Sequence, residues 1–160
     1  MPRKRTDTSA KVLAPARAKA WRSALWRARR TVVFTNGVFD LLHAGHVSIL
    51  ERARALGDAL IVGVNSDASV RRLGKGPERP LNPLKDRQRV LAGLACVDAV
   101  TSFVEDTPER LLSVLKPDVL VKGADYKPGQ VAGRRHAGKV VLLSLVRGRS
   151  TTAIVRKLSR

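Results

Sequence analysis

A chain of 160 residues, 44% of them apolar, has the size and composition of one globular domain. It contains no run near the roughly 20 apolar residues of a membrane span, and no apolar stretch follows its first basic residues as a signal peptide requires. Its one cysteine, Cys96, excludes an internal disulfide and fits a reducing, cytoplasmic setting.

The net charge of +18 is uneven: residues 1–30 hold ten Lys and Arg against the single acid Asp7. Such a surface attracts polyanions, whether nucleotides, nucleic acid or anionic membrane, although a solvated basic face reads equally well. Arg-rich, acid-poor composition is also that of transit peptides. Residues 1–14 are expected to be disordered. Residues 15–30 suit a helix with Trp21 and Leu25 one turn apart on one face, an appendage able to dock on a main domain over 31–160.

From residue 31 strands and helices alternate. The β-branched and aromatic run 31–35 reads as a buried strand, and 44–56 as a helix carrying Val47, Leu50, Ala53 and Leu56 on one stripe. A strand at 60–64 is followed by a helix at 84–95 started by Pro83. A strand at 99–103, a helix at 108–115, strands at 119–121 and 140–145 and a helix at 151–158 complete the series. This alternation predicts an α/β fold, a Rossmann-like doubly wound parallel sheet of about five strands. Ligands in such sheets bind beyond the strands' carboxyl ends, where strand order reverses. The loops to inspect therefore follow Thr35, Val64, Val121 and Leu145.

The first of these loops reads Thr35-Asn36-Gly37-Val38-Phe39-Asp40-Leu41-Leu42-His43-Ala44-Gly45-His46. Gly37 permits a turn or a close ligand approach just after a strand, and Gly45 does so where a helix begins. His43 and His46, three apart at a helix start, share a face beside free N–H groups and the positive dipole end, which makes a phosphate pocket. Two histidines can also ligate a metal, but no third ligand stands at zinc-like spacing. Asp40 is either a ligand or a brace for the loop.

TNGVFDLLHAGH resembles the signature of the HxGH nucleotidyltransferases, a family of cytidylyl- and adenylyltransferases, and the resemblance runs over about residues 31–160. Within it the likeness is to the branch that adenylylates heptose 1-phosphates for lipopolysaccharide core synthesis. Val64-Asn65-Ser66-Asp67 running on to Arg79-Pro80-Leu81-Asn82-Pro83-Leu84 carries that likeness. So do Asp118-Val119-Leu120-Val121-Lys122-Gly123-Ala124-Asp125-Tyr126 and Gly148-Arg149-Ser150-Thr151-Thr152. Leu145, standing where related cytidylyltransferases carry an arginine, favours the adenylyl branch.

The resemblance implies site roles. His43 and His46 would hold the α and β phosphates, and Lys75, or Arg72 in its place, would close on the triphosphate. Thr35, Asn36, Gly37, Val38, Phe39, Gly45, Arg87, Gly123, Asp125, Ser150, Thr151 and Thr152 would bind nucleotide. Asp40, Lys122 and Tyr126 would contact the sugar phosphate. On the residues alone, the cations Arg71, Arg72 and Lys75 are a basic Gly-containing loop, Arg87 a surface charge, and the hydroxyls before residue 152 a helix cap. His136 has no assigned role. The short segment between Tyr126 and Val140 is expected to border the sugar site or a dimer contact.

The implied reaction transfers AMP from ATP to a sugar 1-phosphate and releases pyrophosphate. Mg²⁺ would be carried by the nucleotide phosphates rather than by protein ligands. ATP and the sugar 1-phosphate are the expected partners, with a homodimer, no nucleic acid and no membrane; a kinase supplying the acceptor would be a separate chain. The alternatives are a cytidylyltransferase acting on a polyol or amino-alcohol phosphate, and a nucleic-acid module using the basic segment. Against the latter, 4% aromatic residues leave few stacking platforms.

Overall fold

The computed structural model describes residues 7–144 and 151–158. Five strands, β1 (Val32–Gly37), β2 (Ala59–Asn65), β3 (Ala99–Phe103), β4 (Val119–Gly123) and β5 (Lys139–Leu143), form one parallel sheet in the order β3-β2-β1-β4-β5. This is the doubly wound α/β arrangement expected from the alternation. The order reverses between β1 and β4.

Both faces of the sheet are covered, so successive strand residues enter different cores. On one side Val33, Leu60, Val62 and Val121 pack with Leu50 and Ala53 of α2 (Ala44–Arg54) and with Leu91 and Ala92 of α4 (Leu84–Ala92). On the other, Val32, Phe34, Ile61 and Leu120 meet Ala18 of α1 (Pro15–Arg27) and Leu111, Leu112 and Leu115 of α5 (Glu109–Leu115). Continuous apolar strand runs are what burial on two faces requires. Gly63 is needed where Phe34 crosses β2: a Cβ there would lie 2.7 Å from the ring's Cζ.

A recurring aspartate sets the sheet's register at its amino end. Asp58, Asp98 and Asp118 each precede a strand, and each carboxylate accepts a backbone N–H from a neighbouring strand or its approach. The donors are Thr31 at 2.8 Å, Leu60 at 2.8 Å and Val32 at 2.7 Å. Arg30, Arg54 and Arg22 pair with the three carboxylates in turn. Charge-assisted bonds of this kind are stronger than neutral ones.

Several boundaries move. β1 and β4 each continue two residues past the predicted strands, carrying Asn36, Gly37, Lys122 and Gly123 in regular backbone to the edge of the site. α4 ends earlier than expected, at Gly93. A short helix, α3 (Asp67–Arg72), replaces the expected loop after β2; Ser66 caps it by accepting the Ser69 N–H. The predicted strand at 140–145 is β5, and residues 145–150 lie outside the described part.

The helix expected over 15–30 is present as α1, whereas the disorder expected of residues 1–14 is corrected for residues 7–14. Residues 8–11 form a 3₁₀ turn, Val12 bridges Val100 beside β3, and the buried Leu13 donates its N–H to the Val100 carbonyl. α1 is a wall of the second core: Ala18 is fully buried, Trp21 and Leu25 pack against it, and Arg22 donates to the Lys116 carbonyl and to Asp118. The short 127–139 connection is also placed away from the site. It lies against α5, with Arg135 paired to Glu109 at 2.6 Å and Gly133, at φ +75°, tight on Leu112.

Candidate active site

Beyond the carboxyl ends of β1 and β4 lies a cleft of about 270 Å³. Thr35, Asn36, Gly37, Val38, Phe39 and Asp40 line it from β1 and its loop, and His46 and Ile49 from α2. Lys75 comes from the loop after α3, Lys122, Gly123, Asp125 and Tyr126 from β4 and its loop, and Thr151 from α6 (Thr151–Leu158). Four separate stretches of sequence therefore converge on one opening at the strand-order reversal. A larger depression of about 580 Å³ lies at the opposite pole, among Trp26, Arg27, Arg29, Arg30, Thr31 and Asp118. Its one carboxylate, Asp118, is already held by Arg22 and the Val32 N–H.

The helix start is built from its own motif. His43 is the N-cap of α2 in an extended conformation, and its Nδ1 accepts the Gly45 N–H at 3.1 Å. That bond fixes the tautomer and leaves the proton on Nε2. His46 stacks on His43 with ring centroids 3.9 Å apart and planes 22° from parallel. The edge of Phe39 meets His46 at 5.2 Å. Phe39 itself sits at φ +50°, and its ring covers Gly37 so closely that a Cβ there would come within 3.1 Å. A side chain at position 37 would have to displace the Phe39 ring by a few tenths of an ångström.

Burial, then the neighbouring His43, pushes the His46 pKa down to about 4, opposed by the Leu41 carbonyl. Its Nδ1 is buried with no hydrogen-bond partner among the described residues. A neutral imidazole with an unsatisfied nitrogen beside a positive helix end is prepared to gain both a proton and an anion together. Two amines line the same cleft. Lys75 lies in an exposed loop between Gly74, at φ +64°, and Gly76, at φ +124°, conformations that free this loop from side-chain restraint. Lys122 is largely buried and donates to Asn36 Oδ1, with its Nζ 5.3 Å from the Tyr126 ring centre.

Three expected contact residues prove to be framework. The Asp40 carboxylate is wholly buried, accepts the N–H groups of Leu81 and Asn82 at 2.9 Å each, and pairs with Arg79 at 2.6 Å. With its acceptor sites occupied, it braces the loop rather than binding a sugar. Arg87 is likewise buried: it donates to the carbonyls of Asn82, Val38 and Asn65 and to Asp67. It anchors the nucleotide loop from behind instead of reaching into the cleft. Arg72 donates to Asp106 and to the Val104 carbonyl and does not line the cleft, whereas Lys75 does.

Of the remaining residues, Thr35 uses its hydroxyl on the Val121 carbonyl at 3.1 Å, and Gly45 is buried beneath the helix start. Thr151 lines the cleft and donates to the Leu41 carbonyl, whereas Thr152 is exposed and does not line it. Ser150 lies outside the described residues. Ile49 was not foreseen, and periodicity could have found it: it lies three residues past His46 on α2. Among the described residues no three His, Cys, Asp or Glu gather as a metal-holding group, and no helix is long and apolar enough to cross a membrane.

Comparison with known proteins gives the family and the fold. A family model described as Cytidylyltransferase-like matches residues 34–147. The bifunctional protein HldE of Magnetococcus marinus is 59% identical over 141 residues, covering 85% of this chain and 29% of that protein. The HldE of Azotobacter vinelandii is 62% identical over 133 residues, covering 81% and 28%. This chain thus spans less than a third of the length of these relatives. Among solved structures, the lipopolysaccharide core biosynthesis protein of Thermoplasma volcanium superposes with a TM-score of 0.64 at 28% identity, covering 73% of this chain and 98% of that one. A pantoate-beta-alanine ligase from Francisella tularensis, with a TM-score of 0.58 at 17% identity over 85% of this chain and 67% of that one, shares the fold.

Proposed function

Because this chain belongs to the cytidylyltransferase-like family, we propose that it transfers AMP from ATP to a sugar 1-phosphate and releases pyrophosphate. The acceptor we assign is D-glycero-β-D-manno-heptose 1-phosphate, giving ADP-heptose for lipopolysaccharide core synthesis. The identity of about 60% to HldE proteins supports the heptose branch. The observation that carries the reaction type is His46 at the start of α2, stacked on His43 and lining one cleft with Lys75 and Lys122.

A non-bridging oxygen of the sugar phosphate attacks the α-phosphorus of ATP. The bond from that phosphorus to the β-phosphate oxygen breaks, and its electron pair leaves with pyrophosphate. No covalent enzyme intermediate is needed, so the chain's work is to position reactants and neutralise charge. His43 Nε2–H and a His46 protonated on binding would hold the α and β phosphates. Lys75, on its glycine-flanked loop, would close over the leaving group. Mg²⁺ neutralises phosphate oxygens when bound. The cleft's one buried carboxylate, Asp40, is already paired with Arg79, so the described residues offer no protein cage and the ion would arrive on the nucleotide. The homodimer implied by the resemblance belongs to this reading, and sedimentation checks it.

Pyrophosphate release with Mg²⁺, ATP or CTP, and a panel of sugar and polyol phosphates tests the assignment. Release with ATP and the heptose 1-phosphate is expected. Release with CTP and a polyol phosphate would move the chain to the cytidylyl branch.

A further inference from the structure

The loop that carries Lys75 is fastened at both ends. Residues 71–78 are all exposed, and Arg79, which follows them, is buried. On the α3 side the Leu73 N–H donates to the Ser69 carbonyl and the Gly74 N–H to the Arg71 carbonyl. On the other side Gly76-Pro77-Glu78-Arg79 closes as a β-turn, the Arg79 N–H donating to the Gly76 carbonyl at 3.2 Å. Proline at the second position of a turn has its φ already set for that backbone. Lys75 stands between these fastenings, flanked by two glycines at positive φ. Its own side chain makes no hydrogen bond or ion pair among the described residues, so the backbone on either side decides where it stands.

The turn is held by one guanidinium. Arg79 Nε lies 2.6 Å from Asp40 Oδ2, with the arginine side chain 9% exposed and the aspartate side chain 0%. The stem of Arg79 packs against the loop as well: a Cβ at Gly76 would lie 3.5 Å from its Cγ. Asp40 sits three residues before His43, the cap of α2, and its carboxylate also accepts the Leu81 and Asn82 N–H groups just past the turn. Asn82 Nδ2 donates to the Asp40 carbonyl, and the Asn82 carbonyl accepts from Arg87, whose guanidinium reaches the Val38 carbonyl too. The loop with the histidines and the loop with the lysine are thus joined through a buried ion pair and its hydrogen bonds, although neither arginine lines the cleft. Opening such a pair strands a buried charge. It therefore holds geometry more firmly than the half-exposed Arg72–Asp106 pair at the other end of the loop.

On the transfer reading above, we infer that Arg79 is a positioning residue for the reaction: held by Asp40, it fixes the turn from which Lys75 reaches and registers that lysine with His46 in one cleft. It acts through Lys75 rather than on a reactant. Closure of Lys75 then needs rotation only at Gly74 and Gly76, while the turn stays on Asp40. A displacement of about 1 Å can cost about 10²-fold in rate. Where Lys75 acts on the leaving group, that loss falls on kcat and leaves both KM values nearly unchanged.

A double-mutant cycle with Lys75→Ala tests this. Arg79→Met should lower kcat for pyrophosphate release about 10- to 100-fold in the wild-type background, and by less than about twofold in Lys75→Ala. Arg79→Lys, which keeps a cation beside Asp40, should recover part of the loss, and it carries the cycle where Arg79→Met does not fold. A residue that only supports the fold lowers the active fraction alike in both backgrounds. Equal losses in the two, or a wild-type kcat in Arg79→Met, therefore overturn the assignment. The same cycle on calorimetric binding of a non-hydrolysable ATP analogue with Mg²⁺ separates this from the transfer reading. Coupling of Arg79 to Lys75 in binding, in a chain that releases no pyrophosphate with any acceptor, would keep the positioning role and sink the transfer. Additive losses in that chain, or no binding by wild type, would sink the role of Arg79.

Discussion

His43 does two jobs with two nitrogens. Nδ1 caps α2, and the proton thereby held on Nε2 is the one that would meet phosphate in the proposed reaction. These jobs separate by mutation. His43→Ala should lose turnover by about 10²- to 10³-fold and about 1 kcal/mol of stability with the cap. His43→Asn should keep the cap and still lose the turnover; urea melts beside turnover assays distinguish the two. His46 contributes through its lowered pKa. The unfolded chain takes up this proton near the ordinary histidine value, the folded one only near 4. The sign is therefore fixed: stability is lost as pH falls from about 6.5 towards 4 and changes no further below. Denaturation midpoints at pH 7 and pH 4.5 should differ less in His46→Gln than in wild type. ATP binding near pH 6 should take up a proton at His46, which calorimetry in buffers of different ionisation enthalpy reads directly. The motif itself was legible because its chemistry is contiguous, running from Thr35 to His46. The fates of Asp40 and Arg87 were not, since their partners Arg79, Leu81, Asn82, Val38 and Asn65 lie many residues away. A charge in sequence carries no sign of whether its donors or acceptors are already used.

Strands and long helices were readable because apolar runs and stripes report burial directly. α3 was missed because six residues, Asp67–Arg72, give too little periodicity beside a glycine-containing basic loop. The order of residues 7–14 was missed for a related reason, although the helix that follows was read correctly. The segment's basic composition marks the solvent side of α1, while a few residues, Leu13, Ala18 and Arg22, bind it to the body. Removing residues 1–28 should therefore destabilise the domain rather than trim an appendage, lowering the melting temperature well beyond any effect on nucleotide affinity. Arg22→Ala alone should cost about 1–3 kcal/mol, because it strips a donor from the Lys116 carbonyl and the partner of Asp118. A melting temperature unchanged by the deletion would contradict the docked helix.

At the scale of the whole molecule, a sheet reversal opens one crevice, and the chain around it is strongly basic. A net +18 predicts that ATP capture is steered electrostatically, so the KM for ATP should rise with ionic strength while kcat stays nearly constant. The same crevice joins groups of opposite duty: neutral stacked histidines ready to accept charge on one side, and a crowded cation at Lys122 on the other. The most direct test of this account is a single-turnover reaction of enzyme with Mg²⁺, ATP and heptose 1-phosphate, followed by ³¹P resonance. The account predicts equal amounts of a sugar-linked diphosphate and pyrophosphate in wild type, and neither product in His46→Gln that still folds. Conversion of ATP to ADP and phosphate, or equal product from the variant, would contradict it.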